Sequence, residues 1–130
     1  MSPLRHTLQC LINWFEIPVS DLDRASKFYS KVLGGDLQQQ EMQGITMAFL
    51  PMEGDGVGGA LCKGEDYKPS GEDGALLYLN GGEDLSGPLS KVEEAGGKII
   101  MEKTKITDDI GYMAVFFDSE GNRIAFHSPK

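Results

Sequence analysis

Cysteine is scarce in this 130-residue sequence, which holds only Cys10 and Cys62. Neither stands in a CxxC or CxxH pattern, so a zinc knuckle and a dithiol redox motif are both unsupported. Two isolated thiols fit a reducing cytoplasm better than a disulfide scaffold. Positive charge is also short: 12 Lys and Arg against 20 Asp and Glu leave a net charge of −8. Such a balance repels phosphate backbones and anionic lipid, so nucleic acid and membrane surfaces are poor partners. A solvated, soluble surface accounts for the acidity. No run approaches the ~20 apolar residues of a membrane span. The N-terminal stretch after Arg5 is broken by Gln9, Asn13 and Glu16 and lacks a small-residue cleavage site, so no signal peptide is read there. A cytoplasmic protein is expected.

What the sequence does have is an internal repeat. The strand-like Trp14-Phe15-Glu16-Ile17-Pro18-Val19 leads into Ser20-Asp21-Leu22 and a helical stretch ending at Gly34-Gly35. Leu76-Leu77-Tyr78-Leu79-Asn80 leads into Glu83-Asp84-Leu85 and a helical stretch ending at Gly96-Gly97. The Asp-Leu steps lie 63 positions apart and the paired glycines 62. Two copies of that period fill one domain spanning 1–130, with half-repeats at about 9–63 and 74–129. Each half alone is too small for a stable core, so the halves must pack together, and their seam is a natural place for a cavity.

Within the first half, alternation puts Phe15, Ile17 and Val19 on one strand face and Trp14 and Glu16 on the other, predicting a strand over about 11–19. Ser20 reads as an N-cap, with Asp23 in the capping-box position. Leu22, Ala25, Phe28, Tyr29 and Val32 recur at helical spacing, and Gly34-Gly35 ends the helix. Strands follow at about 36–42, 45–50 and 59–63, the first two joined by a Gln43-Gly44 turn. Residues 64–74 read as a linker or a mobile flap. The second half predicts a strand at 75–80 and a helix over about 86–95, with Pro88 in its first turn and a Leu85, Leu89, Val92, Ala95 stripe. Strands at about 98–104, 112–117 and 123–128 complete it, the last two joined by Asp118-Ser119-Glu120-Gly121-Asn122. The expected fold class is α+β: two strand–helix–three-strand repeats forming a curved, cup-like mixed sheet, with helices on its outer face.

This doubled unit resembles the vicinal oxygen chelate superfamily, which includes glyoxalase I, bleomycin-resistance proteins and extradiol dioxygenases. The resemblance rests on Ile17-Pro18-Val19-Ser20-Asp21-Leu22 followed by Phe28-Tyr29, on Ala95-Gly96-Gly97-Lys98-Ile99, and on Asp118-Ser119-Glu120-Gly121-Asn122-Arg123-Ile124. The last is close to the family's Asp-Pro-Glu-Gly-Asn, with Ser119 in the proline's place. The superfamily spans isomerases, lyases, dioxygenases and sequestering proteins, so likeness to it implies the fold and not one activity.

The resemblance also implies where metal ligands would stand. The first-strand position is Trp14, the fifth-strand position is about Leu76, and the last-strand carboxylate position is Ala125. The fourth-strand stretch Gly58-Gly59-Ala60-Leu61-Cys62 holds neither carboxylate nor imidazole. A divalent ion needs several converging donors, and these residues supply none, so no metal site of the usual kind and no cofactor are expected. Glu16 lies two residues past Trp14 and His127 two past Ala125. If both strands line one cup, this carboxylate and imidazole could serve as general base and orienter, or join a displaced divalent-metal site. The alternative is that Glu16 is satisfied by a nearby donor and His127 sits at the rim. Trp14, Leu76, Tyr78, Asn80, Tyr112 and Ala125 are the expected ligand-binding positions. His6 is expected to be exposed, the glycines of 54–59 lack the context of a phosphate loop, and Asp108-Asp109 reads as turn chemistry. Lys103 and Lys105 read as strand-edge protection.

The favoured function is metal-free sequestration of a small, partly aromatic molecule in the cup. Its alternative is a lyase or isomerase acting through Glu16 and His127 on a small oxygenated substrate, and a structural or regulatory role is the third reading. The family likeness implies a homodimer, in some relatives by exchange of halves.

Overall fold

The computed structural model describes residues 11–54 and 56–130. Arg5, His6, Gln9, Cys10 and Asp55 lie outside the described residues, as does the expected start of the first half-repeat near position 9. The order is β1 (Trp14–Pro18), α1 (Leu22–Leu33), β2 (Gln38–Met42), β3 (Ile45–Phe49) and β4 (Gly58–Lys63), followed by the same order again. The second set is β5 (Leu77–Asn80), α2 (Ser86–Leu89), β6 (Lys98–Thr107), β7 (Gly111–Phe117) and β8 (Arg123–Ser128). The eight strands form two four-stranded mixed sheets, ordered β1-β4-β3-β2 and β5-β8-β7-β6. In each, the first strand runs parallel to the fourth and the remaining pairs are antiparallel. The repeat therefore sets the topology as expected, with a separate ladder for each half in place of one shared sheet.

Local chemistry explains the first half. The α1 stripe Leu22, Ala25, Phe28, Tyr29 and Val32 is wholly buried. Asp21, rather than Ser20, is the N-cap: its backbone is extended and its carboxylate accepts from the Arg24 N–H at 3.0 Å. Ser20 turns its own N–H and hydroxyl toward Glu120. Gly34 ends the helix at φ 79°, its N–H donating to the Ser30 carbonyl at 2.9 Å. Between β2 and β3, Gln43 and Gly44 both take positive φ, 52° and 83°, the turn whose twist suits a two-residue hairpin.

The second helix departs from expectation. Only Ser86–Leu89 is α-helical, and residues 90–96 continue as turns. Pro88 has no N–H to donate to the Asp84 carbonyl, and Gly87 bonds that carbonyl at 3.3 Å instead. Downstream the bonds mix three-residue and four-residue steps, Val92 to Leu89 and Ala95 to Lys91. The stripe still does its packing: Leu85, Leu89 and Val92 are buried, and Ala95 is half-buried against the core.

One hydrophobic core takes residues from both halves. Ile17 and Leu61 of the first sheet, with Val19 just after β1, meet Ala114, Phe116, Ile124 and Phe126 of the second around α1. Phe28 lies 6.2 Å from Phe116, which lies 4.8 Å from Phe126. Each such buried ring contributes about 1.5–3 kcal/mol by removal from water. Phe15 faces this side too, its ring lying over Gly59, where a side chain of any size would strike it. Alternation then leaves Trp14, Glu16, Met47, Phe49, Ala60 and Cys62 on the open face of the first sheet. Tyr78, Asn80, Met113, Ala125 and His127 occupy the open face of the second.

Candidate functional site

The turn Asp118–Asn122 is the joint of the molecule. Asp118, almost wholly buried, accepts from the Tyr29 hydroxyl at 2.7 Å and from the backbone N–H groups of Glu120 and Asn122. Burial raises its carboxyl pKa against the pull of those donors. Asn122 donates to the Pro18 carbonyl at 2.7 Å and accepts from the Ser70 N–H at 3.0 Å, tying β8 to β1 and to the linker. Glu120 caps the entry to α1, accepting from the Ser20 and Asp21 N–H groups and from the Arg24 guanidinium at 2.7 Å. Burial opposes its ionisation. The Arg24 guanidinium, the Asp21 N–H, the Ser119 hydroxyl and the Ser20 N–H overcome that and hold the carboxyl down at about 2. The motif that carried the family likeness is thus spent on joining the halves.

On the open face of the first sheet, Glu16 is flanked by donors. The Tyr67 hydroxyl donates to it at 2.6 Å and the Trp14 indole N–H at 3.3 Å. The Trp14 ring meets Phe49 edge-on at 6.0 Å. Beneath them, Met47, Ala60 and Cys62 form a small apolar floor with Ile45, Phe49 and Tyr67 packed on it. Burial first, and then the nearby Glu16 charge, push the Cys62 thiol up to about 11, far from a reactive thiolate. Tyr67 was invisible to pattern reading, because it sits in an aperiodic linker 51 residues from its partner.

On the open face of the second sheet, Tyr78, Asn80 and His127 line a shallow depression of about 720 Å³ with Ile106, Ile110 and Met113. His127 donates its Nε2–H to the Ile110 carbonyl at 2.6 Å, which fixes that nitrogen as the protonated one. Ala125 is fully buried in β8 between Tyr78 and Val115, and Leu76 is half-buried just before β5. Tyr112 does not join this surface. Its register places it opposite Ser128, on the helix-facing side with Ala114 and Phe116, where Lys103 lies 4.7 Å above its ring. Lys103 itself is bound by Asp84 at 2.9 Å, beyond the edge-protection role read from sequence.

Among the described residues Glu16 and His127 share no hydrogen bond: Glu16 is bonded by Tyr67 and Trp14, and His127 by the Ile110 carbonyl. Each lies on its own sheet, and the two sheets have no common ladder to bring β1 and β8 into register. Glu16 instead lines a cavity of about 300 Å³ at the seam of the two halves, walled by Phe15, Ile17, Pro18, Ala75, Leu77 and Ile124. Lys68, Asp73 and Arg123 also line it.

Among the described residues no three His, Cys, Asp or Glu side chains gather as a metal site requires. Trp14, Leu76 and Ala125 bring no donor to the implied ligand positions. Among the described residues, no helix is long and apolar enough to cross a membrane.

Comparison with known proteins agrees with this architecture. A glyoxylase-like domain-containing protein of Didymella fabae is 31% identical over 121 residues, covering 85% of this chain and 88% of that one. The structure of TnmS3, an antibiotic binding protein from Streptomyces sp. CB03234, superposes with TM-score 0.62 at 24% identity, over 92% of this chain and 95% of that one. A glyoxalase I variant from Zea mays superposes with TM-score 0.68 at 20% identity, over 89% of this chain. This chain spans only 46% of the maize protein's length. The profile of the Glyoxalase/Bleomycin resistance protein/Dioxygenase superfamily matches residues 11–126, and the chain belongs to that superfamily.

Proposed function

We propose that this chain is a cytoplasmic small-molecule binding protein that works without a metal, as a homodimer, and holds a partly aromatic ligand against its open sheet faces. The observation that carries this reading is the chemistry of those faces. Where the family likeness implies metal ligands, the chain has Trp14 and apolar residues, and both Trp14 and Tyr78 leave about half their surface in solvent, 44% and 51%. Large aromatic rings left this open beside half-buried polar groups suit stacking against a planar ligand. The antibiotic binding protein TnmS3 has a similar fold, which supports sequestration as a use of the scaffold. Exposed Ile106 and Ile110 beside Tyr78 support a second copy as partner for this face. The unpaired, buried Cys62 suits a reducing compartment.

A thermal-shift screen of planar aromatic compounds tests the reading. At tenfold excess over Kd a ligand adds about 1.4 kcal/mol, a rise of about 4–8 °C in Tm. Trp14→Ala and Tyr78→Ala should each reduce that rise. Hits that stabilise both variants as well as the parent would overturn the stacking surface. Stoichiometric zinc, nickel, manganese or iron by plasma mass spectrometry would overturn the metal-free part, and a monomer in sedimentation velocity the dimer.

A further inference from the structure

We infer that the seam cavity is a separate binding site for a small carboxylate with an apolar body. It is built from both halves: β1 gives Phe15, Ile17 and Pro18, the linker gives Lys68, Asp73 and Ala75, and β5 and β8 give Leu77, Arg123 and Ile124. Its volume of about 300 Å³ is that of a small-ligand cavity, and its walls are chiefly apolar. Four residues with ionisable side chains line it, and they are not equivalent: the Glu16 carboxylate itself is turned to the open face of the first sheet. Glu16 already accepts hydrogen bonds from Tyr67 and Trp14. Arg123 and Lys68 form no ion pair among the described residues, with each other's neighbours Glu16 and Asp73 or with any other carboxylate. Two cations with no ion pair among the described residues, both from residues that line an apolar recess in a chain of net charge −8, suit an anion.

The guanidinium of Arg123 is the stronger anchor, because its planar fork matches a carboxylate with two parallel hydrogen bonds. Its root is also fixed. Asn122, immediately before it, is locked by bonds to Pro18, Asp118 and Ser70, so β8 begins at a rigid point. The hydrophobic body of the ligand would lie along Ile17, Leu77 and Ile124, with Phe15 held in place over Gly59. This site differs from the open faces proposed above, so the two can fail independently.

The test compares three probes by isothermal titration calorimetry at low salt: 1-naphthoate, the neutral 1-naphthamide and the cationic 1-naphthylmethylamine. Naphthoate should bind about tenfold more tightly than the amide, as a charge-assisted bidentate contact implies. Arg123→Gln should bring the two within about twofold of each other, and Lys68→Gln should narrow the gap less, since ammonium makes a single point contact. Both residues are exposed, so the variants should keep the parent's melting temperature. Amide NMR shifts induced by naphthoate should centre on Ala75, Leu77 and Ile124. Equal affinity for amide and naphthoate, tighter binding of the amine, no binding of naphthoate at millimolar concentration, or shifts centred on Tyr78 and Met113 would each overturn the inference. The last of these would leave the open-face reading standing.

Discussion

The Tyr67 hydroxyl donates a 2.6 Å hydrogen bond to Glu16, joining the linker to the open face of the first sheet. The bond to the Glu16 carboxylate, followed by burial, pushes the Tyr67 phenol up to about 12 from an ordinary value of 10. An acid whose pKa rises on folding favours the protonated form in the folded state. The stability it brings is therefore complete below pH 10 and is lost as pH climbs toward 12. Ultraviolet titration should show two of the four tyrosines ionising late, Tyr67 and the buried Tyr29 beside Asp118, and Tyr67→Phe should delete one of those late steps. A Tyr67 ionising near pH 10 would mean the bond does not persist in solution.

Cys62 offers a probe of opening rather than a nucleophile. It has no exposed surface, and burial raises its thiol to about 11. At pH 8 the native protein should leave Cys62 unmodified by iodoacetamide over hours, while in urea it should react at the rate of a free thiol. Peptide mass mapping separates its adduct from that of Cys10. Rapid labelling of native Cys62 would show that the floor formed with Met47 and Ala60 is loose.

Much of the scaffold was legible in the sequence, for reasons that differ by element. The α1 stripe and its Gly34 stop state their own geometry, and the Gln43-Gly44 turn does the same. The Leu85, Leu89, Val92 stripe foretold burial correctly but not helix length, because Gly87 and Pro88 weaken the α form while turns preserve the packing. Alternation within β7 already paired Tyr112 with Ala114 and Phe116, so its absence from the open face could have been read by following the strand's own period. The relation of Glu16 to His127 could not. It depends on how two separate ladders are set against each other, and nothing local encodes that. Tyr67 was hidden for the same reason, as a contact across 51 residues from a stretch with no periodicity.

The buried bond from Tyr29 to Asp118 predicts a measurable cost for a small change. Tyr29→Phe keeps the ring against Phe28, at 4.9 Å, and removes only the hydroxyl donor. Asp118 would retain the Asn122 and Glu120 donors, so the loss should be about 1–2 kcal/mol in urea unfolding. Tyr29→Ala removes the ring as well and should cost about 3–5 kcal/mol. Equal losses in the two variants would place the whole effect in the hydrogen bond. A silent Tyr29→Phe would show that Asp118 is satisfied without it.

Glu120 should set the acid limit of the joint between the halves. Its side chain is shielded from solvent, and its carboxyl is held at about 2, against 4.5 when unrestrained. A carboxyl depressed on folding stabilises the folded state above its unfolded pKa, and that contribution drains away as pH falls from 4.5 toward 2. Glu120→Gln keeps the size but loses the charge that Arg24 and the Ser20 and Asp21 N–H groups bind, at a cost of about 2–3 kcal/mol at pH 7. The variant's stability should then change less than the parent's between pH 4.5 and 2, so the two unfolding curves converge in acid. If the gap between them stays constant down to pH 2, the loss comes from packing and not from the charge. Arg24→Gln serves as the matching control: it removes the guanidinium and leaves Glu120 with the Ser20 and Asp21 N–H groups and the Ser20 and Ser119 hydroxyls. It should therefore shift the acid transition toward higher pH without abolishing it.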